Sequence, residues 1–322
     1  MESGRTGVVS VLVEAARHGD ARSIAKLISL VEDASPLLRE AMAALMPYAG
    51  HATVVGLTGA PGVGKSTTTS ALVAAYRALG KRIGVLAVDP SSPFSGGALL
   101  GDRVRMQEHA LDPGVYIRSM ASRGHLGGLS WSTPQAARVL DAAGCDVVLV
   151  ETVGVGQSEV EVAGLADTTV VLLAPGMGDA IQAAKAGILE VGDVYVVNKA
   201  DRDGADAAVR ELRHMLNLGE RRGPGEWRPP ILKTVASRGE GLDDVVEALE
   251  KHRGWLKETG ELQARRVRRA ADEVESIALT ALRARIGDLP SSSLAQLAVE
   301  VAQGRTDPYT AADRLVAGLT SG

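Results

Sequence analysis

A glycine-rich run between residues 59 and 66 has the residue types and spacing of a phosphate-binding loop. It reads Gly59-Ala60-Pro61-Gly62-Val63-Gly64-Lys65-Ser66, a complete match to G-x-x-x-x-G-K-[ST]. Glycines let the backbone wrap phosphates with its N–H groups pointing inward, at the positive end of a helix. We expect Lys65 to reach the β- and γ-phosphates and the Ser66 hydroxyl to bind Mg²⁺. An apolar run precedes the loop, and a helix-forming stretch follows it from Thr67. We include Thr67 among the nucleotide-binding residues.

A second motif, Asn198-Lys199-Ala200-Asp201, has the form N-K-x-D and follows an apolar run. The Asp201 carboxylate can accept hydrogen bonds from N1–H and the exocyclic amine of guanine, whereas adenine would leave this charged acceptor unpaired. The stem of Lys199 is expected to lie along the base, and Asn198 to tie this loop to the phosphate loop. Ala236-Ser237, after the last apolar run, is placed to offer a backbone N–H to the guanine oxygen.

Acidic residues follow two other apolar runs and predict a magnesium site. Glu151 opens the sequence E-x-x-G, in which Gly154 N–H would face the γ-phosphate. Asp89 ends the neighbouring run, and Asp102 lies beyond a loop rich in Ser, Pro and Gly. Together with Ser66, these carboxylates could hold Mg²⁺, which neutralises charge during phosphoryl transfer.

The residue after Gly154 predicts slow hydrolysis. Val155 stands where many GTPases carry the Gln that orients the attacking water, and Gln157 is offset from that position. Without an added arginine or a partner, turnover on the order of 10⁻⁴ to 10⁻² per second is the expectation. Such a rate suits a switch better than a metabolic enzyme.

The elements that must position these motifs are seven short β-branched runs separated by helical or loop stretches. Several are apolar at consecutive positions, the pattern of parallel strands covered on both faces. We therefore predict an α/β fold, a P-loop NTPase with a mostly parallel, doubly wound sheet over residues 51–256. Helical extensions are predicted at 1–50 and 257–322. The runs are Thr53–Thr58, Arg82–Val88, Val115–Arg118, Asp146–Val150, Thr168–Leu173, Val194–Val197 and Ile231–Val235.

The N-terminal extension has apolar residues at helical spacing, and Ser35-Pro36 is interpreted as the start of a second helix. The members of its apolar face are Ile24, Leu27, Ile28 and Val31. The C-terminal extension contains an amphipathic segment at 262–286 and a last helix that begins at Asp307-Pro308.

Apolar residues in that amphipathic segment recur at steps of three and four, which predicts a homodimer made mainly by residues beyond 257. They are Val267, Ala270, Val274, Ile277 and Ala281. The neighbouring arginines are interpreted as the solvated face of the same helix; they are Arg265, Arg266, Arg268 and Arg269.

Composition limits the remaining function classes. A net charge of −4 over 322 residues gives no general attraction to nucleic acid or to an anionic membrane. A single cysteine, Cys145, excludes a disulfide framework within the chain and a Cys-x-x-Cys metal site, and its apolar surroundings indicate a core residue. No apolar run reaches the length of a membrane span, and the start does not resemble a secretion signal, so the expected location is the cytoplasm.

Together these motifs resemble the MeaB/ArgK family, the methylmalonyl-CoA mutase-associated GTPases. The phosphate loop and N-K-x-D are shared by GTPases in general. Three further stretches single out this family: DPSSP at Asp89–Pro93, ETVGVGQS at Glu151–Ser158 and GRTDPYTAA at Gly304–Ala312. The resemblance covers nearly the whole chain, including both helical extensions.

The resemblance implies a homodimeric G-protein chaperone that binds GTP and GDP with Mg²⁺. Its implied partner is methylmalonyl-CoA mutase, for which it would gate adenosylcobalamin loading and protect or reactivate the enzyme. The magnesium residues of the family correspond to Ser66, Asp89, Asp102 and Glu151. A further family switch corresponds to residues 175–185, where Gln182 and Lys185 could couple the partner to the γ-phosphate.

Three alternatives remain open. A nickel-insertion GTPase fits poorly with one cysteine and no histidine cluster, because His109 and His125 are isolated in the sequence and are interpreted as loop or surface residues. A kinase tied to basic amino acid transport would need an acceptor site, for which no motif is present. A structural module with an inert nucleotide site is disfavoured by the retention of Lys65, Ser66 and Glu151.

Overall fold

The computed structural model describes residues 3–89, 106–121, 132–152, 158–176, 188–218, 223, 225–288 and 291–320. Its centre is a seven-stranded sheet in the order β3-β2-β4-β1-β5-β6-β7, in which every neighbouring pair is parallel. This confirms the predicted fold class. The strands are β1 (Thr53–Thr58), β2 (Ile83–Asp89), β3 (Val115–Ala121), β4 (Val147–Thr152), β5 (Thr168–Leu173), β6 (Val194–Val197) and β7 (Ile231–Lys233).

Three of the seven strands, β1, β5 and β6, occupy the predicted residues. β2 is shifted by one residue, β3 runs three residues further than predicted and β7 ends two residues earlier. β4 starts one residue later and runs two residues further than predicted. The extension arises because Glu151 and Thr152 pair with Ala87 and Val88 of β2. The carboxylate of Glu151 is therefore attached to a strand end and not to a loop.

Eleven α-helices lie in the described part of the chain. They are α1 (Ser3–Arg17), α2 (Ala21–Glu32), α3 (Leu38–Leu45), α4 (Lys65–Ala78), α5 (Ser132–Ala142), α6 (Ser158–Leu165), α7 (Ala205–Leu218), α8 (Leu242–Glu258), α9 (Glu261–Asp288), α10 (Ser291–Ala302) and α11 (Pro308–Thr320). The contacts divide the chain into two units, Met1–Arg266 and Val267–Gly322. The predicted domain boundaries near residues 50 and 256 remain predictions.

Helices cover both faces of the sheet, as a doubly wound fold requires. Val148 and Val150 of β4 join a core with the N-terminal helices and α5. The alternate residues Val147 and Leu149 join a core with α4 and α8 on the other face. Cys145, two residues before β4, is buried, and burial raises the pKa of its thiol to about 12, in keeping with a core residue.

The predicted apolar face of α2 is buried in the first of these cores. The predicted start of the next helix at Ser35-Pro36 is wrong, because α3 begins at Leu38. Ser35 still contributes to the turn before it: its Oγ accepts a bond from Leu37 N at 3.3 Å, and its carbonyl accepts one from Leu38 N at 2.9 Å.

Two of the arginines interpreted as a solvated face are placed differently by the structure. Arg265 binds Asp193 at 2.9 Å and Arg266 binds Asp167 at 3.0 Å. Asp167 and Asp193 are buried, so the first turns of α9 are held by ion pairs that periodicity alone does not reveal.

The second unit consists of the rest of α9 with α10 and α11. As predicted, the last helix begins at Asp307-Pro308: Asp307 Oδ1 accepts bonds from Tyr309 N and Thr310 N. Val274 and Ile277 on α9 are exposed. Within the described residues, no helix is both long enough and apolar enough to cross a membrane.

Candidate functional site

The glycine-rich loop joins the end of β1 to the start of α4. Gly59, Gly62 and Gly64 have φ values of 141°, 81° and 98°, which glycine adopts at little cost. A Cβ at Gly59 would lie 2.3 Å from the carbonyl oxygen of Leu172, and one at Gly64 would lie 2.4 Å from Asn198 Nδ2. The glycines thus allow both a left-handed backbone and close packing against β5 and against Asn198–Asp201, which we call the base loop.

Lys65, the first residue of α4, is buried inside this loop. Its Nζ donates to the carbonyl oxygens of Gly59 at 2.6 Å and of Ala60 at 3.2 Å. The ammonium group is therefore held by the backbone that would surround the phosphates. Because α4 begins here, the positive end of its dipole adds to the charge of Lys65.

Ser66 and Glu151 bring two oxygen ligands together. Ser66 Oγ donates to Glu151 Oε1 at 2.6 Å, and both residues are buried. Asp89 ends β2, directly after Val88, which pairs with Thr152 of β4. Hydroxyl and carboxylate oxygens are donors that Mg²⁺ prefers, so Ser66 and Glu151 fit that ion.

Several predicted site residues lie outside the described part of the chain. They are Asp102, Gly154, Gln157, Gln182 and Lys185. Among the described residues, no group of three or more His, Cys, Asp and Glu side chains could hold a metal ion. The magnesium assignment at Ser66, Asp89, Asp102 and Glu151 stays a prediction.

Asn198 connects the base loop to the phosphate loop. Its Nδ2 donates to the carbonyl oxygen of Val63 at 2.9 Å. Its Oδ1 accepts bonds from Thr234 Oγ1 and Ala236 N, each at 3.1 Å. One buried amide therefore holds the phosphate loop and both segments of the predicted guanine site. The assignment of Ala236-Ser237 to the guanine oxygen stays a prediction.

The other residues of N-K-x-D flank this connection. Lys199, with φ of 57°, extends its Nζ to the carbonyl oxygen of Gly62 at 2.6 Å. Asp201 Oδ2 lies 3.5 Å from Arg238 Nη2, and Arg238 Nε lies 3.1 Å from Glu240. Sequence reasoning missed Thr234 and Arg238, because neither belongs to a contiguous motif.

His109, interpreted above as a loop or surface residue, contacts the helix of the phosphate loop. Its Nε2 lies 2.9 Å from Ser70 Oγ, and Ser70 also donates to Glu108. Ser70 is one helical turn after Ser66 on α4, so this contact fixes the helix of the phosphate loop against residues 107–109. His125 lies outside the described residues.

Comparison with known proteins agrees with this geometry. Residues 24–290 match the sequence model of the family described as methylmalonyl Co-A mutase-associated GTPase MeaB. The chain belongs to the MeaB family. A relative from Pyrococcus abyssi, named as a GTPase, is 43% identical over 317 residues, which cover 98% of each chain. The GTPase ArgK of Escherichia coli is 40% identical over 254 residues, 77% of this chain and 76% of that one.

A solved structure gives the same result for the fold. The crystal structure named LAO/AO transport system kinase has a TM-score of 0.73 and 28% identity, and the match covers 98% of both chains. The resemblance found in the sequence is thus confirmed at the level of the family. The protein is a P-loop GTPase that hydrolyses GTP to GDP and phosphate.

Proposed function

We propose that this GTPase is a Mg²⁺-dependent nucleotide switch that assists methylmalonyl-CoA mutase. The observation that carries the nucleotide part is the position of Asn198 in the base loop. Its amide binds Val63 of the phosphate loop and Ala236, which follows β7. A nucleotide with its phosphates at Gly59–Ser66 would therefore place its base beside Asp201. The carboxylate of Asp201 would select guanine by accepting two hydrogen bonds from it.

Four residues are proposed to hold Mg²⁺ in this switch: Ser66, Asp89, Asp102 and Glu151. The ion would neutralise charge on the β- and γ-phosphates. Lys65 would bind the same phosphates, and α4 would direct its N-terminal N–H groups at them. Gly154 N–H is proposed to face the γ-phosphate. Turnover is expected to be slow without a partner, because Val155 replaces the usual Gln.

The proposed partner is the adenosylcobalamin-dependent mutase. The proposed role is to assist adenosylcobalamin loading and to protect or reactivate the mutase. This rests on the family description, which names association with methylmalonyl-CoA mutase. A slow GTPase is useful as a switch only if a partner binds its GTP and GDP forms with different affinities. Gln182 and Lys185 are proposed to link the partner to the γ-phosphate.

A titration of purified methylmalonyl-CoA mutase into the GTPase tests this role. We expect phosphate release to accelerate by about tenfold or more, and mutase affinity to differ between GDP and a GTP analogue. Lys185→Ala and Gln182→Ala should remove the acceleration, whereas Lys257→Ala, an exposed position on α8, should not. Binding that ignores the nucleotide, or no binding in either state, would refute the chaperone and leave the GTPase intact.

A further inference from the structure

Three aspartates stand directly before parallel strands. They lie at the N-terminal ends of the strands, whereas the phosphate loop lies at the C-terminal ends. Each forms the same pair of bonds with one residue at the start of the neighbouring strand: its backbone N–H donates to that residue's carbonyl, and its carboxylate accepts from that residue's N–H. The pairs are Asp146 with Arg82 (both 2.8 Å), Asp167 with Val54 (2.8 and 3.0 Å) and Asp193 with Thr169 (both 2.9 Å). Each aspartate therefore fixes two adjacent strand starts to each other.

Two of these aspartates also bind an arginine of α9 through two nitrogens. Arg266 Nε and Nη2 contact the Asp167 carboxylate at 3.3 and 3.0 Å, and Arg265 Nη1 and Nη2 contact that of Asp193 at 2.9 and 3.0 Å. Such paired bonds between guanidinium and carboxylate fix orientation as well as distance. We call Arg265, Arg266, Asp167 and Asp193 the arginine clamp.

The clamp includes backbone groups of the same sheet edge. Arg266 donates to the carbonyls of Gly50 at 2.6 Å and Ala52 at 2.8 Å, just before β1. Arg265 Nη1 donates to the Asp167 carbonyl at 3.0 Å. The two arginine side chains are only 27% and 25% exposed. The clamp thus fixes the starts of β1, β5 and β6 to one helical turn.

Asp146 forms the same bonds to its neighbouring strand, but among the described residues it has no ion pair with an arginine. Its ion pair is with Lys81, whose Nζ is 3.7 Å from Asp146 Oδ1, and both side chains are nearly half exposed. A single ammonium group at this distance, in an exposed pair, contributes little to fixing the position of the Asp146 carboxylate. Asp146 is therefore an internal control for what the arginines add.

The clamped strands reach the nucleotide site at their other ends, as β4 also does through Glu151. β1 leads into Gly59, β5 into Pro175-Gly176, and β6 into Asn198. All strands are parallel, so their C-terminal ends share one edge and their clamped starts the opposite one. Each strand is only four to six residues long, and each is buried on both faces. A change at either end therefore acts on the same short, tightly packed segments.

We propose that Arg265 and Arg266 are positioning residues for the guanine-nucleotide site, acting through Asp167 and Asp193 on β1, β5 and β6. The proposal rests on the GTPase activity and not on the mutase. Coupling between two sites is reciprocal: if the clamp sets the strands for nucleotide, nucleotide must tighten the clamp. An ion pair that only stabilises the fold would not be tightened specifically by nucleotide.

The first test uses hydrogen exchange in the unmodified protein. The Val54 and Thr169 amides donate to the carboxylates of the two clamped aspartates, and the Arg82 amide donates to that of Asp146. Exchange of each amide proton therefore measures how often that bond opens. On binding GDP or a GTP analogue, we expect protection of Val54 and Thr169 to rise by about tenfold more than that of Arg82. An equal rise at all three amides would be general stabilisation by ligand and would overturn the proposal.

The second test replaces both arginines by lysine, which keeps the charge and removes the paired bonds. The double variant Arg265→Lys, Arg266→Lys is expected to weaken GDP binding by about fivefold or more while still unfolding cooperatively. The control Lys81→Gln should change GDP affinity by less than about twofold. A folded double variant with unchanged affinity for GDP and for the GTP analogue would refute the proposal; if the variant does not fold, the exchange measurement decides.

Discussion

Ser66 on the helix of the phosphate loop and Glu151 at the end of β4 share a buried hydrogen bond of 2.6 Å. The two residues are 85 positions apart in sequence. Their contact is made possible by the pairing of β1 with β4, which places Leu57 beside Glu151. The glycine-rich loop then carries the chain from the end of β1 to Ser66. A hydroxyl and a carboxylate are thereby held next to each other where the β- and γ-phosphates are expected.

The first prediction follows from this pair. Glu151→Gln keeps an acceptor for Ser66 Oγ but removes the charge that would help to hold Mg²⁺. We expect GDP affinity to change little, while GTP hydrolysis falls by about 10- to 100-fold. Single-turnover phosphate release and GDP titration measure the two effects, with the exposed Glu258→Gln as control. Hydrolysis at the unmodified rate would remove Glu151 from the proposed metal site.

Two glycines of the phosphate loop allow the effect of a steric clash on nucleotide binding to be separated from the effect of backbone strain. Gly62 and Gly64 both have positive φ, but a Cβ at Gly64 would lie 2.4 Å from Asn198 Nδ2, whereas one at Gly62 meets nothing within 4 Å. Both alanine variants carry the left-handed strain of about 1 kcal/mol. We expect Gly64→Ala to weaken binding of GDP and GTP by at least tenfold more than Gly62→Ala. Equal losses would mean that the contact with Asn198 is easily relieved.

The choice of base gives a third prediction. Asp201→Asn replaces one carboxylate oxygen by an amide donor, so the guanine amine loses its acceptor. A base with a carbonyl in place of that amine should then bind better. We expect the unmodified protein to prefer GTP over ATP by about a thousandfold or more, and the variant to prefer xanthosine triphosphate. Competition binding with the three nucleotides measures this, and equal affinity of the native protein for ATP and GTP would refute guanine recognition.

Much of this site could be predicted because its motifs are contiguous. Gly59–Ser66 and Asn198–Asp201 each follow a buried strand, and both the strand and the motif can be identified from local sequence. The clamp could not be predicted in this way. Arg265 and Asp193 are 72 positions apart, and Arg266 and Asp167 are 99 apart.

Helical periodicity explains why Arg265 and Arg266 were wrongly interpreted as solvated. It assigns charged residues on an amphipathic helix to solvent, because buried carboxylates elsewhere in the chain leave no mark on that pattern. A weak signal did exist: Asp167 and Asp193 each stand directly before a run of buried strand residues. Likewise, nothing near Asn198 in sequence indicates that Thr234 binds it.

The buried His252 predicts a pH dependence of stability. Burial lowers the pKa of its imidazole from 6.5 to about 4, even though Asp193 Oδ1 lies 3.4 Å from Nε2 and acts to raise the pKa. Its other nitrogen, Nδ1, shares a hydrogen bond of 2.8 Å with Thr168 Oγ1. Trp255 stacks on the ring, with centroids 5.7 Å apart. The folded state therefore holds this histidine neutral.

Because the unfolded chain binds the proton more tightly, stability is full above about pH 6.5 and falls as the pH decreases toward 4. The contribution of this one group is about 3 kcal/mol. Urea unfolding between pH 4 and pH 7 measures it. Relative to the native protein, His252→Gln should flatten the slope in that window, although its overall stability is lower. The exposed His214→Gln should leave the slope unchanged; if both variants keep the native slope, other groups cause it.

The last prediction concerns assembly. The predicted stripe beyond residue 266 is exposed at Val267, Val274 and Ile277, with Val274 at 68%. Leu79 on the first unit is a similarly exposed apolar residue at 62% and serves as a matched control. Replacing Val274 and Ile277 by Glu places two charges where a second chain would have to bury them, which is costly without partners. We therefore expect this double variant to sediment as a monomer at concentrations where the unmodified protein and Leu79→Glu are dimers. GDP binding should persist in all three, since the nucleotide site lies in the first unit. A double variant that remains dimeric would move the interface away from this stripe.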